Sequence, residues 1–375
     1  MYRLFLITSP GLEPIVAKEV RSLGYSSHIG RAMVTVDVGS FDEVMLCNLC
    51  LRTPTRVLLH LFDIEAPTKK TLYQEMRRRD WTLFFPEEKT FAIDVPFVQH
   101  PEFSHTLYAA QLIKDGICDS LREQRGTRPN VAKKDPDLLF SAVITKKTAS
   151  LSFDTSGVPL FKRGYRVEHV QAPLRENIAA ALLLAADFDR SHILLDPCCG
   201  SGTFLIEAAL IASQTPPGFL RNRFGFFHHP EFDSDRWKAV RDKQMKQIVP
   251  LEQNHFFGIE KDRKSYQLLL RTLSRVGCLD RVCIEKADFT SARLPVAPSF
   301  VVANPPYGRR LNQERELIQL YRELGRLCRE QTARPCTVGL LAYSPRLAKK
   351  VGLPFRRTLD FLHGGLPCSF YMCNL

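Results

Sequence analysis

Nowhere in this chain do about 20 apolar residues follow one another, so no membrane-spanning helix is expected. The apolar run Met1–Ile7 is too short for a signal peptide and meets Thr8-Ser9-Pro10-Gly11 at once. Internal repeats and low-complexity tracts are also missing, which sets aside solenoids and disordered tails. Cysteine is present, 11 in 375 residues, but scattered and odd in number. That pattern speaks against a disulfide framework and fits a reducing interior, with the cytoplasm as the expected location. The C-x-x-C at Cys47–Cys50 lacks a second pair at zinc spacing, and His228-His229 lacks a third ligand in range. No metal is therefore expected. Buried thiols are the reading for Cys47 and Cys50, and a loop for the two histidines.

The chain is long enough for two or three domains. Hydrophobic residues make up 45% and charged residues 25%, an ordinary globular balance. The formal net charge of +12 is uneven. Residues 1–160 carry 20 Lys+Arg against 19 Asp+Glu, and residues 161–375 carry 32 against 21. An acidic partner, or merely a solvated basic surface, would account for the excess.

The first 50 residues read strand, helix, strand, helix, at 3–8, 12–23, 33–38 and 41–51. Leu12, Ile15, Val16, Val20 and Leu23 mark one buried helical face, with Pro14 in the first turn. A second α+β block runs to about residue 155. It has strands at 56–63, 90–95, 138–145 and 148–154, and helices at 68–79 and 104–124. Lys146-Lys147 sits at the last hairpin's tip. Residues 156–177 read as a linker. From 178 onward helices and strands alternate through Thr337–Tyr343, which argues a parallel sheet covered on both faces. An antiparallel hairpin around Gly364-Gly365 closes it.

Four strand ends carry candidate chemistry. The strand into Leu194-Leu195-Asp196 is followed by Pro197-Cys198-Cys199-Gly200-Ser201-Gly202-Thr203 and a helix. Glycines permit a tight turn that a ligand can approach, and the helix start offers free N–H groups to an anion. No Lys follows the turn, so a nucleotide-phosphate loop is disfavoured. A strand-end acid beside free N–H groups suits an amino-acid-like ligand carrying both charges. Glu260 ends the next strand, where nucleoside-binding sheets hold ribose hydroxyls. Asp288 follows a third strand and would accept from an adenine amino group. Between the first two lies an insert, residues 215–254, with Phe219, Arg221, Arg223, Phe224, Phe226, Phe227, Trp237, Lys238 and Arg241. It would either stack on nucleic acid or pack on the domain as a helical elaboration. The fourth strand end is Asn304-Pro305-Pro306-Tyr307-Gly308. Two prolines lock an extended turn. Asn304 Oδ1 and a fixed proline carbonyl can accept from one planar amine, and Tyr307 offers a stacking face. In-line transfer from a sulfonium to that nitrogen needs mainly orientation.

These segments resemble the S-adenosylmethionine-dependent methyltransferases with an Asn-Pro-Pro-Tyr motif. More narrowly, the whole chain is similar to the THUMP-containing 23S rRNA guanine-N(2)-methyltransferases. The resemblance is carried by Arg128-Pro129-Asn130-Val131 and the hairpin Val143–Asp154, by Leu160–Arg166, Ala172–Asn177 and Ala179–Ala181, by Asp196–Ala209 and Asn304–Gly308, and by Gly364–Cys368. It implies a Rossmann-like seven-stranded α/β methyltransferase sheet (178–375). An α+β ferredoxin-like segment (1–50), a THUMP RNA-binding domain (51–155) and the linker (156–177) would precede it. It further implies S-adenosyl-L-methionine held by Asp196, Cys198, Gly200, Gly202, Thr203, Glu260, Asp288 and Asn304. The guanine would be held by Asn304, Pro305 and Tyr307. Candidate RNA-binding residues are Arg128, Lys133, Lys134, Lys146, Lys147, Lys162, Arg163 and Arg166, and the partner would be 23S rRNA or a ribosome assembly particle. Some long family members carry a second methyltransferase domain, and a second activity is not expected from this sequence. His363 stands where the family pattern has Asn, and reads as a surface turn residue. The same reaction on tRNA, a DNA adenine methyltransferase, and a non-catalytic RNA-binding assembly factor are the rivals.

Overall fold

The computed structural model describes residues 1–65, 67–85, 89–103, 105–132, 134–166, 174–306 and 314–375. Its amino-terminal half is a single sheet backed by helices. In chain order the elements are β1 (Tyr2–Ile7), α1 (Glu13–Ser22), β2 (Ser27–Gly30), β3 (Met33–Val38), α2 (Phe41–Cys50), β4 (Arg56–Glu65), α3 (Lys69–Arg78), β5 (Thr90–Val98), α4 (Thr106–Arg125), β6 (Asn130–Val131), β7 (Leu138–Ile144) and β8 (Thr148–Asp154). Among the described residues the strand order is β2-β3-β1-β4-β8-β7-β5-β6. Because β1 pairs with β4, the ferredoxin-like segment and the following block share one sheet and one core. Local signals start the helices. Pro14 lies in the first turn of α1, Ser40 and Glu43 form a reciprocal cap on α2, and the Thr68 hydroxyl accepts from Thr71 N on α3.

The carboxyl-terminal half contains α5 (Glu176–Ala185), β9 (Leu194–Asp196), α6 (Thr203–Ala212), a 3-10 turn (Gly225–His228), α7 (Ser234–Met245), β10 (Phe256–Ile259), α8 (Arg263–Val276), β11 (Val282–Glu285), β12 (Phe300–Ala303), α9 (Glu314–Gln331), β13 (Thr337–Ala342), α10 (Pro345–Lys350), β14 (Arg356–His363) and β15 (Leu366–Asn374). The strand order is β11-β10-β9-β12-β13-β15-β14. The first five strands are parallel and β15 runs antiparallel to β13. Alternation along β12 buries Phe300 and Val302 with α5, α6 and α8, and Val301 and Ala303 with α9 and α10. The chain order reverses beside β9: it leads to β10 on one side and is flanked by β12 on the other. In open α/β sheets ligands bind outside the strand carboxyl ends at such a point.

The insert does not reach outward to stack on nucleic acid. Phe224 and Phe226 are buried in the amino-terminal core, with Phe227, Phe232 and Trp237 packed around them. The Arg221 guanidinium is spent on the carbonyls of Ser156, Val158, Pro159 and Lys162. Instead of lying in a loop, His228 closes the 3-10 turn, and the buried His229 stacks on Phe41 with ring centroids 4.7 Å apart. β2, β6 and α10 were not expected from the sequence, and α7 supplies the helix of the elaboration that was one reading of the insert.

A polar seam joins the halves. Arg163 donates to Glu207 on α6 at 3.4 Å and to the carbonyls of Leu160 and Arg52, and Tyr165 donates to the same Glu207 at 3.0 Å. Arg52 donates to the carbonyls of Leu210 and Thr215. Asn177 donates to Thr53 O and Gly218 N to Leu49 O. Gly11, at φ +96°, presses its bare Cα against the Asp360 carbonyl of β14, where a Cβ would overlap the oxygen.

Candidate active site

Asp196, Glu260 and Asn304 lie on or just past the carboxyl ends of β9, β10 and β12, neighbours in the sheet. Asp196 is 2% exposed, and its Oδ1 accepts from Cys198 N at 3.3 Å. Burial, with a smaller push from the Glu260 carboxylate, raises its pKa to about 8. Gly200 and Gly202 take φ of +54° and +76°, which the turn into α6 demands. A Cβ on Gly200 would meet no heavy atom within 4 Å, so this face of the turn opens on free space. Gly202 is the N-cap of α6 and, as a glycine, offers no side chain to the first-turn N–H groups.

Glu260 is tied at both oxygens: Oε2 accepts from Gly200 N at 2.8 Å and Oε1 from Asp262 N at 2.6 Å. It thus clamps the Gly-rich turn to the end of β10. Asp288 accepts from Thr290 N and Oγ1, and Lys261 lies 3.7 Å away. The Thr290 backbone hydrogen bond leads in holding its carboxyl below the usual range. Burial raises both Cys198 and Cys199 well above the ordinary thiol value, so they pack in the loop as neutral thiols.

Asn304 directly follows β12. Its Oδ1 is buried and has no hydrogen-bond partner among the described residues. Pro305 behind it is buried and Pro306 is exposed. A buried amide oxygen left without a donor is costly, and marks a place where a ligand completes the bonding. Tyr307, the stacking candidate, lies outside the described residues.

Two residues expected on an RNA surface are elsewhere. Arg163 is 1% exposed and engaged by Glu207 and two carbonyls, as the seam requires. Arg166 is part-buried and turned toward the Gly-rich turn. It pairs with Glu176, and donates to Leu174 O at 2.7 Å, Thr203 Oγ1 at 3.0 Å and Ser201 Oγ at 3.3 Å. Lys162, Lys134, Lys146 and Lys147 are exposed, Arg128 is half-exposed with Asp119 3.8 Å away, and Lys133 lies outside the described residues. The string Lys162–Arg166 shows the reason. Exposed Lys162 and Gly164 alternate with buried Arg163 and Tyr165 along a turning segment in which Gly164 takes φ +97°. Sequence reasoning also missed His363, which is not a free turn residue: its Nδ1 and the Tyr343 hydroxyl are 2.9 Å apart.

The chain matches three family profiles. Residues 163–351 match the RMKL-like methyltransferase domain, residues 67–154 the THUMP domain and residues 3–58 the RlmL ferredoxin-like domain. It is 34% identical to the ribosomal RNA large subunit methyltransferase K/L of Legionella pneumophila subsp. pneumophila over 384 residues, covering 100% of this chain and 53% of that protein. The chain thus spans about half the length of the curated relatives it matches. Among solved structures it is similar to SMU.472, described as a putative methyltransferase complexed with SAH, at 26% identity and TM-score 0.88 over 99% of this chain and 97% of that one. A possible methylase from Clostridium difficile 630 superposes with TM-score 0.87 at 26% identity, covering 99% and 97%.

Proposed function

As the chain belongs to the RMKL-like methyltransferase family, we propose that it methylates the exocyclic amine of a guanine in 23S rRNA, giving N(2)-methylguanosine, with S-adenosyl-L-methionine as donor. The observation that carries the reading is the unpartnered, buried Oδ1 of Asn304 at the end of β12. The site fits the cofactor on its own terms. Gly200 leaves an open cradle, the cap of α6 is a glycine with no side chain to occupy the first-turn N–H groups, and Asp196 is a buried acid at the end of β9.

When bound, the cofactor supplies an electrophilic methyl group. The chain supplies binding and orientation. The Asp196 carboxylate would take the ammonium, and the turn Cys198–Thr203 the carboxylate end. Glu260 would take the ribose hydroxyls and Asp288 the adenine edge. Asn304 Oδ1 and the Pro305 carbonyl would accept both N–H groups of the guanine amine, which turns the nitrogen lone pair toward the donor. Tyr307 would stack the extruded base. Arg128, Lys134, Lys146, Lys147 and Lys162 would meet RNA phosphates, with naked rRNA or an assembly particle as the partner.

Asn304→Ala tests the assignment. Methyl incorporation into rRNA should fall on the order of a hundredfold or more, while affinity for S-adenosylhomocysteine stays near wild type. A large loss of that affinity instead would move Asn304 into the cofactor site alone. Labelling of tRNA rather than rRNA by the wild-type protein would reassign the substrate, and labelling of no RNA would leave an RNA-binding factor.

A further inference from the structure

The carboxyl edge of the second sheet carries a polar pair that has no part in the cofactor site. Tyr343 directly follows β13 and His363 ends β14. The Tyr343 hydroxyl and His363 Nδ1 are 2.9 Å apart. Strand register brings the pair toward Asn304. β12 and β13 run parallel, with Ala303 opposite Leu340. Asn304 comes one residue after Ala303 and Tyr343 three after Leu340, so Tyr343 stands two residues farther out on the neighbouring strand. Alternation puts the three side chains on one face of the sheet. Val302, Leu341 and Phe361 belong to the core shared with α5, α6 and α8, and Asn304, Tyr343 and His363 each follow one of them by two residues. A tight turn fixes the histidine: His363 pairs with Leu366 across Gly364-Gly365, both at positive φ. The start of α5 lies on the same side. Its N-cap, Arg175, holds its guanidinium 5.0 Å from the centre of the Phe161 ring. Burial, with the nearby Arg175 charge adding to it, lowers the pKa of His363 and keeps the half-buried ring neutral at pH 7. A neutral imidazole has one N–H. With the Tyr343 hydroxyl donating to Nδ1, that hydrogen sits on Nε2, for which the described residues supply no acceptor.

We infer that this pair selects the base: His363 Nε2–H donates to the O6 carbonyl of the guanine whose amine lies on Asn304, and Tyr343 is the positioning residue that fixes the ring and its tautomer. The inference rests on the guanine-N(2) reading and supplies a selectivity that Asn304 cannot. Asn304 Oδ1 and the Pro305 carbonyl would accept from any planar amine, that of adenine included. Guanine carries its amine and O6 on one ring, whereas adenine has no carbonyl oxygen. An adenine amine placed on Asn304 would leave the His363 donor facing no acceptor. In a half-buried site such an unpaired donor is what rejects a near-isostere.

The test uses the rRNA fragment that the wild-type protein labels, and the same fragment with 2-aminopurine at the labelled position, which keeps the amine and loses O6. The wild type should prefer guanine. His363→Ala should shrink the guanine-to-2-aminopurine ratio of kcat/KM by about tenfold, slowing guanine while leaving 2-aminopurine nearly unchanged. Comparing the ratio between enzymes cancels the intrinsic reactivities of the two amines. His363→Asn keeps an N–H donor and should keep most of the preference. Tyr343→Phe should lose part of it while the thermal midpoint and the affinity for S-adenosylhomocysteine hold. An equal fall on both substrates, or no fall on either, would overturn the inference and leave the pair structural. In that case labelling of guanine by the wild type still upholds the functional reading. Labelling of adenine instead, or of no RNA, overturns both.

Discussion

Replacing Arg166 by Ala isolates the link between the linker and the Gly-rich turn. The guanidinium pairs with Glu176, which is 4% exposed, and its other nitrogens hold Leu174 O, Ser201 Oγ and Thr203 Oγ1. Removing one partner of a buried pair costs about 3–5 kcal/mol. The Arg166 side chain is 19% exposed, so solvent screening brings this to about 2–3 kcal/mol. At about 2–4 °C per kcal/mol for a domain of this size, the melting point should drop roughly 5–10 °C. The drop should depend on pH. Burial already raises the pKa of Glu176, and the Arg166 charge is the main force opposing that rise. Without Arg166 the acid is raised further, so the native state holds its proton more tightly than the unfolded chain does. Stability is then retained at pH 5 and lost as pH climbs through the raised value, so the variant should suffer more at pH 8. Freeing Ser201 and Thr203 should also weaken S-adenosylhomocysteine binding by about tenfold, the worth of one or two hydrogen bonds. Arg166→Lys keeps the charge near Glu176 but cannot serve four acceptors, so it should rescue the melting point more than the affinity. Calorimetric titration and thermal melts at pH 5 and 8 read both quantities. A variant that melts early yet binds S-adenosylhomocysteine like wild type would refute the positioning role and leave Arg166 a structural pair.

Two glycines at positive φ should fail in different ways. Gly11→Ala places a methyl group on the Asp360 carbonyl and should lower stability by more than about 2 kcal/mol in a denaturant titration, since neither backbone can yield without undocking β14. Gly200→Ala meets no atom, so its stability cost should stay near the 1–2 kcal/mol of left-handed strain while the methyl group occupies the cofactor cradle and abolishes S-adenosylhomocysteine binding. His229, whose pKa burial lowers to about 4, is kept neutral against Phe41 and Phe153. The unfolded chain takes up that proton near pH 6.5, so stability should be full above this value and decline by up to about 3 kcal/mol as pH falls to 4, a slope that His229→Phe should flatten.

What was legible in the sequence was whatever short-range pattern specifies. Strand-end acids and the Asn304–Pro306 turn sit where they do because each follows a run of four or so apolar residues, and the alternation of helices and strands fixes which edge those ends share. The helices expected at 41–51 and 68–79 match α2 and α3 to within a residue or so. Tertiary partners decide the rest. For Phe224 and Phe226 the sequence left stacking on nucleic acid and packing on the domain both open, because composition cannot say that their core belongs to elements 70 to 220 residues earlier. The basic run at Lys162–Arg166 looked like an RNA patch because its inward carboxylates, Glu207 and Glu176, lie on other helices. β6 has two residues and α10 six, too few for a periodicity to emerge.

The linker explains why the two halves act as one tool. Burying Arg163 beside Glu207, which is 0% exposed, is expensive in desolvation, and an apolar pair of similar volume would stabilise at least as well. What the charged pair adds is direction. Glu207 sits one turn into α6, the helix that begins at the Gly-rich turn, so Arg163 and Tyr165 fix that helix while Arg166, in the same short segment, fixes the turn itself. The Arg52 carbonyl held by Arg163 leads directly into β4, the central strand of the amino-terminal sheet. A load on that sheet therefore reaches the cofactor turn through hydrogen-bonded contacts with no intervening free tether. A hinge at this point would blur the separation between an RNA contact and Asn304, whereas methyl transfer tolerates little misplacement. A charged seam of this kind favours one docking geometry of the two halves over others of similar stability.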